Sequence, residues 1–419
     1  MISYLNSHKK EYCSGCSACS NVCVHAAISM KEDEEGFLFP VIDTDKCVKC
    51  GLCEKVCPYN EDYSNTPYEQ HSYIAITDRT EYYMESASIG VCTMLADYIL
   101  SKDGYVFGVE LNEEDWKAYH ICIHDKESLN RIRNSKYLQS NLGNSYSEVK
   151  RLLKDGSEVL YIGTPCQIAG LKGYLRKDYG NLLMVDVFCH GVFSPKLMPL
   201  EIEYWEKLFK SKIHNFRFRS KRVYKHANHG MVNFDLDNGN HIERHASSSP
   251  SYHCYAYSGD GVSYNLRLSC YACSFRCKMR YADISVGDPW FVGKGIISNR
   301  KIRCFNGAKS VFCSNTDKGH KALTQILPNM IAEENTHDAL FCQPAVLPIK
   351  RAIPEKRAEL FANLDEDYGT LIQRLFNCEL EGLHKKFDRN YHRTTFQCLL
   401  IKYLQLGRIK EYLKKCIWF

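Results

Sequence analysis

Eight cysteines stand in two matching rows near the start of the chain. Cys13, Cys16, Cys19 and Cys23 are followed by Cys47, Cys50, Cys53 and Cys57, each row spaced C-x2-C-x2-C-x3-C. Three thiolates in a tight loop can cap three irons of one cubane, while the fourth, at the start of a helix, reaches across to the other cubane. On that pattern Cys13, Cys16, Cys19 and Cys57 hold one 4Fe-4S cluster, and Cys47, Cys50, Cys53 and Cys23 hold a second. Zinc fits poorly, because neither row brings a spaced histidine pair. The rows differ in one respect: Val24 follows the first where Pro58 follows the second.

A second group of thiols is scattered. The stretch "LSCYACSFRCKMRYADISVGDPW" carries Cys270, Cys273 and Cys277 ahead of an acidic turn. Two of these are too few for a cluster, so their partners must come from elsewhere. The run "SEVLYIG" has strand character, and "TPCQIAGLKGYLRK" starts like a helix, with Thr164 as cap and Pro165 in the first turn. The strand "NLLMVDVF" follows and delivers "CHG". A strand-helix-strand unit of this kind is parallel with a right-handed crossover, and ligands gather beyond the carboxyl ends of its strands. Cys166 and Cys189 both fall there. Cys166 also sits at a helix N-terminus, where the dipole favours thiolate. Cys166, Cys189, Cys270 and Cys273 are therefore the expected ligands of a third 4Fe-4S cluster, with Cys277 a substitute or a bystander. A structural zinc and plain structural thiols are the alternatives. Arg280 stands where a radical-enzyme cysteine pattern would need a thiol, which speaks against radical chemistry.

The elements that must position these thiols divide the chain into three. Residues 1–60 form a two-cluster module, closed between the rows by a short strand and turn in "GFLFPVIDTDKC". The polar "NEDYSNTPYEQH" reads as a linker. Residues 72–345 form the main domain, and 346–419 a helical C-terminal extension. In the main domain, "MESASIGVCTMLADYIL" leads from small residues into a helix whose amides could meet phosphate, as could "NSKYLQSNLG" with Lys136 as its cation. Ordinary helix capping is the other reading. "FRFRSKRVYKHANHG" is basic with interleaved aromatics, yet with "NFDLDNGNHIERH" and its Asn238-Gly239 turn it reads as an antiparallel strand pair with a solvated basic face, not a nucleic-acid site. His190 could give a proton to a substrate anion. Asp283 and Asp288 could ligate, orient Arg280 or touch a cofactor, or simply form turns.

The module resembles bacterial-type two-cluster ferredoxins over residues 10 to 60. With "SASIGV", "NSKYLQS", "GTPCQIAGL", "FCHGV", "CYAC" and "ADISVGDPW" in order behind it, the chain resembles the family of coenzyme F420 hydrogenase/dehydrogenase beta subunits. The resemblance implies FAD in a mixed α+β or α/β domain, near Ser86, Ser88, Gly90, Lys136, Thr164, Pro165 and Asp288, with His190 catalytic. Where members often carry two glycines, this chain has Ile89 and Gly90. Electrons would pass between a low-potential carrier protein such as ferredoxin, the clusters, FAD and a small-molecule substrate. That substrate would be a small organic molecule or a deazaflavin-type coenzyme, with a sugar or polymer precursor of polysaccharide biosynthesis among the candidates and coenzyme F420 itself not implied. A non-catalytic electron-transfer or adaptor subunit of a larger redox complex is the alternative.

Composition sets outer bounds. The 419 residues include 22 cysteines, and 54 basic against 49 acidic residues leave a formal charge of +5. That balance implies no nucleic acid, though it would not repel an acidic small protein. The opening "MISYLNSHKK" lacks an apolar secretory region, so reduced thiols in a cytoplasm are expected. Cys92, Cys122, Cys254, Cys304, Cys313, Cys342, Cys378, Cys398 and Cys416 lack ligand spacing. The basic, aromatic-ended tail from Phe396 to Phe419 suits an amphipathic helix on its own domain, a partner or a membrane surface.

Overall fold

The computed structural model describes residues 3–60, 71–223, 230–258, 261–290, 292–340, 344–347 and 350–403, with side chains to residue 393 apart from 294 and 337. Between the cysteine rows, β1 (Ile28–Glu32) and β2 (Leu38–Ile42) form an antiparallel hairpin. Six strands follow: β3 (His71–Ile76), β4 (Tyr105–Leu111), β5 (Ala118–Ile123), β6 (Ser140–Asn141), β7 (Val159–Gly163) and β8 (Leu182–Val187). A separate antiparallel sheet holds β9 (Ile213–Arg217), β10 (Met231–Leu236) and β11 (His241–His245), and the expected turn at Gly239 joins the last two. The chain then returns to the first sheet with β12 (Ile284–Gly287), β13 (Ser310–Ser314) and β14 (Ile331–Asn335).

The large sheet runs β14-β3-β13-β12-β8-β7-β4-β5-β6. Its centre, β12-β8-β7-β4, is parallel, and antiparallel strands flank that centre on both sides. The mixed α/β class expected from the sequence is the class found. β7 and β8 pair in parallel from Val159 and Leu182 onwards, as the strand-helix-strand pattern requires.

Alternation along these strands builds two cores. Leu160, Leu183 and Val185 face the helices Val91–Leu100 and Asp317–Ile326, whereas Val159, Tyr161, Leu182 and Met184 face Ser145–Lys154 and Pro165–Leu175. Each such buried aliphatic side chain contributes about 1.5–3 kcal/mol. Cys16, Ala18 and Val56 of the N-terminal module belong to the second of these cores. The module is therefore seated on the sheet's helical layer rather than tethered beside it.

A third core lies over the small sheet. Trp205, on the helix Leu197–Phe209, packs there with Phe216, Phe218 and Phe234. Tyr368, Leu371, Ile372 and Leu375 of the C-terminal region join it. The final helix, Leu380–Tyr403, starts against the same core with Leu380. The membrane or partner contact expected of Phe396–Phe419 falls on residues whose side chains lie outside the described ones. No helix among the described residues is long and apolar enough to cross a membrane.

His120 on β5 lies flat on Tyr161, with its ring nitrogens 3.0 Å from the Ser140 hydroxyl and 3.2 Å from the Ile162 carbonyl. Burial pushes its imidazole down to about 4. The folded state then refuses a proton that the unfolded chain accepts near 6.5, so stability falls as pH drops through that window. Going from pH 7 to pH 5 should cost about 2 kcal/mol at this residue. Thermal melts at both pH values should show His120→Gln narrowing the gap; an unchanged gap would refute the assignment.

Candidate functional site

The sharpest cluster of chemistry lies where β7 and β8 end. Cys166, Cys189, Cys270 and Cys273 all line one internal pocket, together with Thr164, Pro165 and Gln167. Pro165 opens the helix with no amide to satisfy, and the Gln167 side chain accepts the Thr164 amide at 2.9 Å. That fold-back holds Cys166 in the first turn, with the Thr164 hydroxyl 3.1 Å from its sulfur. Burial pushes Cys189 up to about 12 and Cys270 to about 11, and neighbouring thiolates add to both shifts. Four thiolates crowded in this way need cationic charge among them, which is what iron supplies. The donor set therefore fits a cubane. Cys277 points elsewhere: its sulfur donates to the Met279 carbonyl at 2.8 Å and it does not line the pocket.

The N-terminal rows meet this pocket directly. Ser14 lines it, and Tyr59 and Phe275 fill the space between Cys57, Cys166 and Cys273, their rings 5.3 Å apart edge to face. Cys19 is pushed well up by burial and then by the charges of Cys16, Cys13, Cys57 and Cys53, so these five thiols lie near one another. Cys16 presses on the helix Pro165–Leu175, where a Cβ at Gly170 would come within 2.9 Å of its sulfur. Cys50, by contrast, is exposed. Among the described residues no three His, Cys, Asp or Glu side chains surround a point closely enough for a single metal ion.

Arg267 joins the two regions. It is 1% exposed, and its guanidinium donates to the Cys13 carbonyl at 2.7 Å, the Leu38 carbonyl at 3.0 Å and Gln139 Oε1 at 2.9 Å. Its face lies 4.1 Å from the Phe39 ring centre. Gln139 in turn donates to the Ser14 carbonyl. A second clamp pairs Arg357 with Glu35, while Arg357 also donates to the Leu266 carbonyl at 3.0 Å. Sequence reasoning missed these residues, although Arg267 stands directly before "LSCYAC".

Other expected site residues gather elsewhere. The Ser86 hydroxyl bonds Thr93, and that of Ser88 bonds the Lys309 carbonyl. Gly90 sits at φ 92 before the helix Val91–Leu100, where a Cβ would meet Ser86. The stretch expected to present a solvated basic face does so only in part among its described residues: Arg222 is exposed, but Arg219 is 7% and Lys221 2% exposed, which corrects the reading for those two. Lys221 donates to the carbonyls of Tyr83, Ser86 and Ser88 at 2.6–2.8 Å. Burial and then the charge of Arg219 push its ammonium down to about 7, against the pull of Asp288 and Glu85. Asp288 pairs with Arg219 at 2.8 Å and not with Arg280. Arg280 pairs with buried Asp186 at 3.0 Å, and Asp283 accepts from the Met184 amide and the Thr316 hydroxyl. His190 is half-buried, its ring edge toward Trp290 at 6.3 Å.

Lys136 lines a cleft of about 490 Å³ with Arg131, Arg133, Arg217, Phe216 and Phe218. Its ammonium donates to the Arg133 carbonyl at 2.6 Å, and burial pushes it down to about 7. Arg133 Nε is buried there without a hydrogen-bond partner. Asn134 and Ser135 line the same cleft, and Gln139, three residues past Lys136, lines the thiol pocket. The two cavities are thus linked by at most ~10 Å of extended chain.

Paired thiol rows, a thiol pocket at parallel strand ends and a basic cleft define an iron-sulfur electron-transfer protein. Comparison with known proteins agrees. Residues 156–339 match the family model for the C-terminal part of the beta subunit of coenzyme F420 hydrogenase/dehydrogenase, and residues 12–60 match a 4Fe-4S dicluster domain. The chain thus carries, behind a 4Fe-4S dicluster module, a segment similar to the C-terminal domain of coenzyme F420 hydrogenase/dehydrogenase beta subunits. It is 28% identical over 224 residues to a coenzyme F420-dependent sulfite reductase of Methanocaldococcus jannaschii, covering 51% of this chain and 33% of the relative. It is 19% identical over 209 residues to one of the subunits of the F(420)H(2) dehydrogenase of Methanosarcina mazei, covering 45% of this chain and 58% of the relative. The chain thus spans a third and somewhat over half of these relatives. A chain of the F420-reducing [NiFe] hydrogenase complex from Methanosarcina barkeri aligns over 76% of this chain and 91% of its own, at 16% identity and a TM-score of 0.39.

Replacing Arg267 by alanine leaves two carbonyls and an amide oxygen buried without their donor, at a cost of about 3–5 kcal/mol. Thermal unfolding of the loaded protein, followed by visible absorbance, should begin at a lower temperature in Arg267→Ala. An unchanged onset would show that the clamp is dispensable.

Proposed function

We propose that this chain is an iron-sulfur flavoprotein that moves electrons between a protein carrier and a small organic substrate. The observation that carries it is the convergence of Cys166, Cys189, Cys270 and Cys273 on one pocket that Ser14 of the N-terminal module also lines. Cys13, Cys16, Cys19 and Cys57 would hold the inner cluster of that module, and Cys23, Cys47, Cys50 and Cys53 the outer one. Such clusters supply one-electron transfer when bound. Exposed Cys50, buried Cys16 and the thiol pocket beside it set an order of sites from solvent inwards. The domain limits proposed are residues 1–60, 72–345 and 346–419.

Arg131, Arg133, Lys136 and Arg217 would hold the phosphates of FAD, with Phe216 and Phe218 along its length; the orphaned Arg133 Nε and a volume within the usual ligand range fit that role. FAD supplies storage of two electrons and their release as hydride. Ser86, Ser88, Gly90 and Asp288 would act behind the cleft, positioning Lys221 and Arg219 rather than touching phosphate. Thr164 and Pro165 shape the thiol pocket. His190, beside Cys189, would give a proton to the reduced substrate. The substrate itself is a small organic molecule or a deazaflavin-type coenzyme, a polysaccharide precursor among them.

Anaerobically purified protein should hold about twelve irons and one FAD. Cys166→Ser should lose about four irons with the module's own intact, while Cys277→Ser should lose none. Iron content unchanged in Cys166→Ser would overturn the third site, and absence of flavin would overturn the oxidoreductase reading in favour of an adaptor role.

A further inference from the structure

The outer end of the module is built for contact. Of the ten large hydrophobic residues that stand exposed among those described, four lie within residues 24–48: Val24, Val41, Ile42 and Val48. Val24 and Val48 are 83% and 59% exposed, each one residue from a cysteine of the outer group. The backbone explains their proximity, since β1 pairs Ile28 with Ile42 and the Cys47 amide bonds the Asp43 carbonyl just beyond β2. Val24 and Val48 thus leave apolar surface beside Cys23 and Cys47, at the end of the module that carries exposed Cys50.

Beside it runs a groove of about 840 Å³, shared by Gly51, Glu54, Lys55 and Asn60 of the module and by the end of the helix Pro165–Leu175. It begins one residue from exposed Cys50. Lys55, Lys172, Arg176 and Lys177 line it against only Glu54 and Asp178. Lys177 lies over the Tyr179 ring, and no ion pair among the described residues neutralises any of the four cations. In a chain of nearly balanced charge this is a local asymmetry.

We infer that this face receives an acidic one-electron carrier protein, with the lysine and arginine rim steering it and the valine patch seating it over Cys50. The inference rests on the proposed function and names the partner of its outer site. Charge complementarity speeds encounter, and a small apolar centre gives the brief contact typical of redox partners. A single-stranded nucleic acid would want aromatic stacking platforms, which this groove lacks among its lining residues.

The test uses the loaded full chain and follows bleaching of its visible absorbance by two reductants: a pre-reduced acidic two-cluster ferredoxin, and photoreduced free deazaflavin, a small molecule that needs no protein docking surface and, as a candidate substrate, would enter at the substrate site rather than at this groove. With ferredoxin, the wild-type rate should fall about tenfold or more between low salt and about 0.5 M salt. A variant combining Lys55→Glu, Arg176→Glu and Lys177→Glu should lose about as much at low salt, and lose the salt dependence, while its rate with deazaflavin is unchanged. Lys210→Glu with Lys385→Glu, on exposed helices of the other core, should alter neither rate. A groove variant that keeps its ferredoxin rate, or that slows equally with deazaflavin, overturns the docking site. Wild-type protein that neither reductant bleaches overturns the two-cluster reading beneath it.

Discussion

A buried guanidinium without a carboxylate partner is the constraint on which the structure turns. Among the described residues Arg267 makes no ion pair; it is held by two backbone carbonyls, one amide oxygen and an aromatic face. An uncompensated buried cation is costly. The cost is offset by where it sits: the charge of Arg267 favours the thiolate forms of Cys166 and Cys270, and its strongest hydrogen bond goes to the backbone of Cys13. Thiolates that bind iron bring more negative charge than the cluster core cancels, so one arginine serves two donor sets. Docking of the module, placement of Cys270 and Cys273 three and six residues further on, and charge balance are one problem with one residue at its centre.

The same economy shapes the sheet. Parallel strands β7 and β8 end together, so the loops that follow them deliver Cys166 and Cys189 to one place. Asp186, near the end of β8, is fully buried and carries Arg280 against it, which ties the turn after Cys277 to the strand before Cys189. Removing one member would strand the other charge. This ion pair fixes geometry, since buried pairs contribute little net stability.

What the sequence disclosed was whatever depends on near neighbours. The cysteine rows, the Thr164-Pro165 start of a helix and the Gly239 turn are local chemistry, and each is found in place. Cys166 and Cys189 were legible because strand-end geometry is a general rule for parallel units, and Cys270 and Cys273 because their close spacing called for two partners from elsewhere. Arg219 and Lys221 were misplaced on a solvated face because alternation tells which side chains share a face, not what covers that face. The loop carrying Tyr83, Ser86 and Ser88, more than a hundred residues earlier, supplies the carbonyls that bury Lys221. Arg267 was silent for the same reason: its acceptors come from residues 13, 38 and 139.

The contrast between buried Cys16 and exposed Cys50 has a bearing on how such a protein ages. Dissolved oxygen and peroxide reach thiolates in proportion to their exposure. Damage should therefore begin at Cys50 and reach last Cys16, packed under the sheet's helices. On the function proposed above, a molecule injured in this way would keep its interior chemistry but fall silent to its partner, and repair would need only the solvent-facing loop to be refilled.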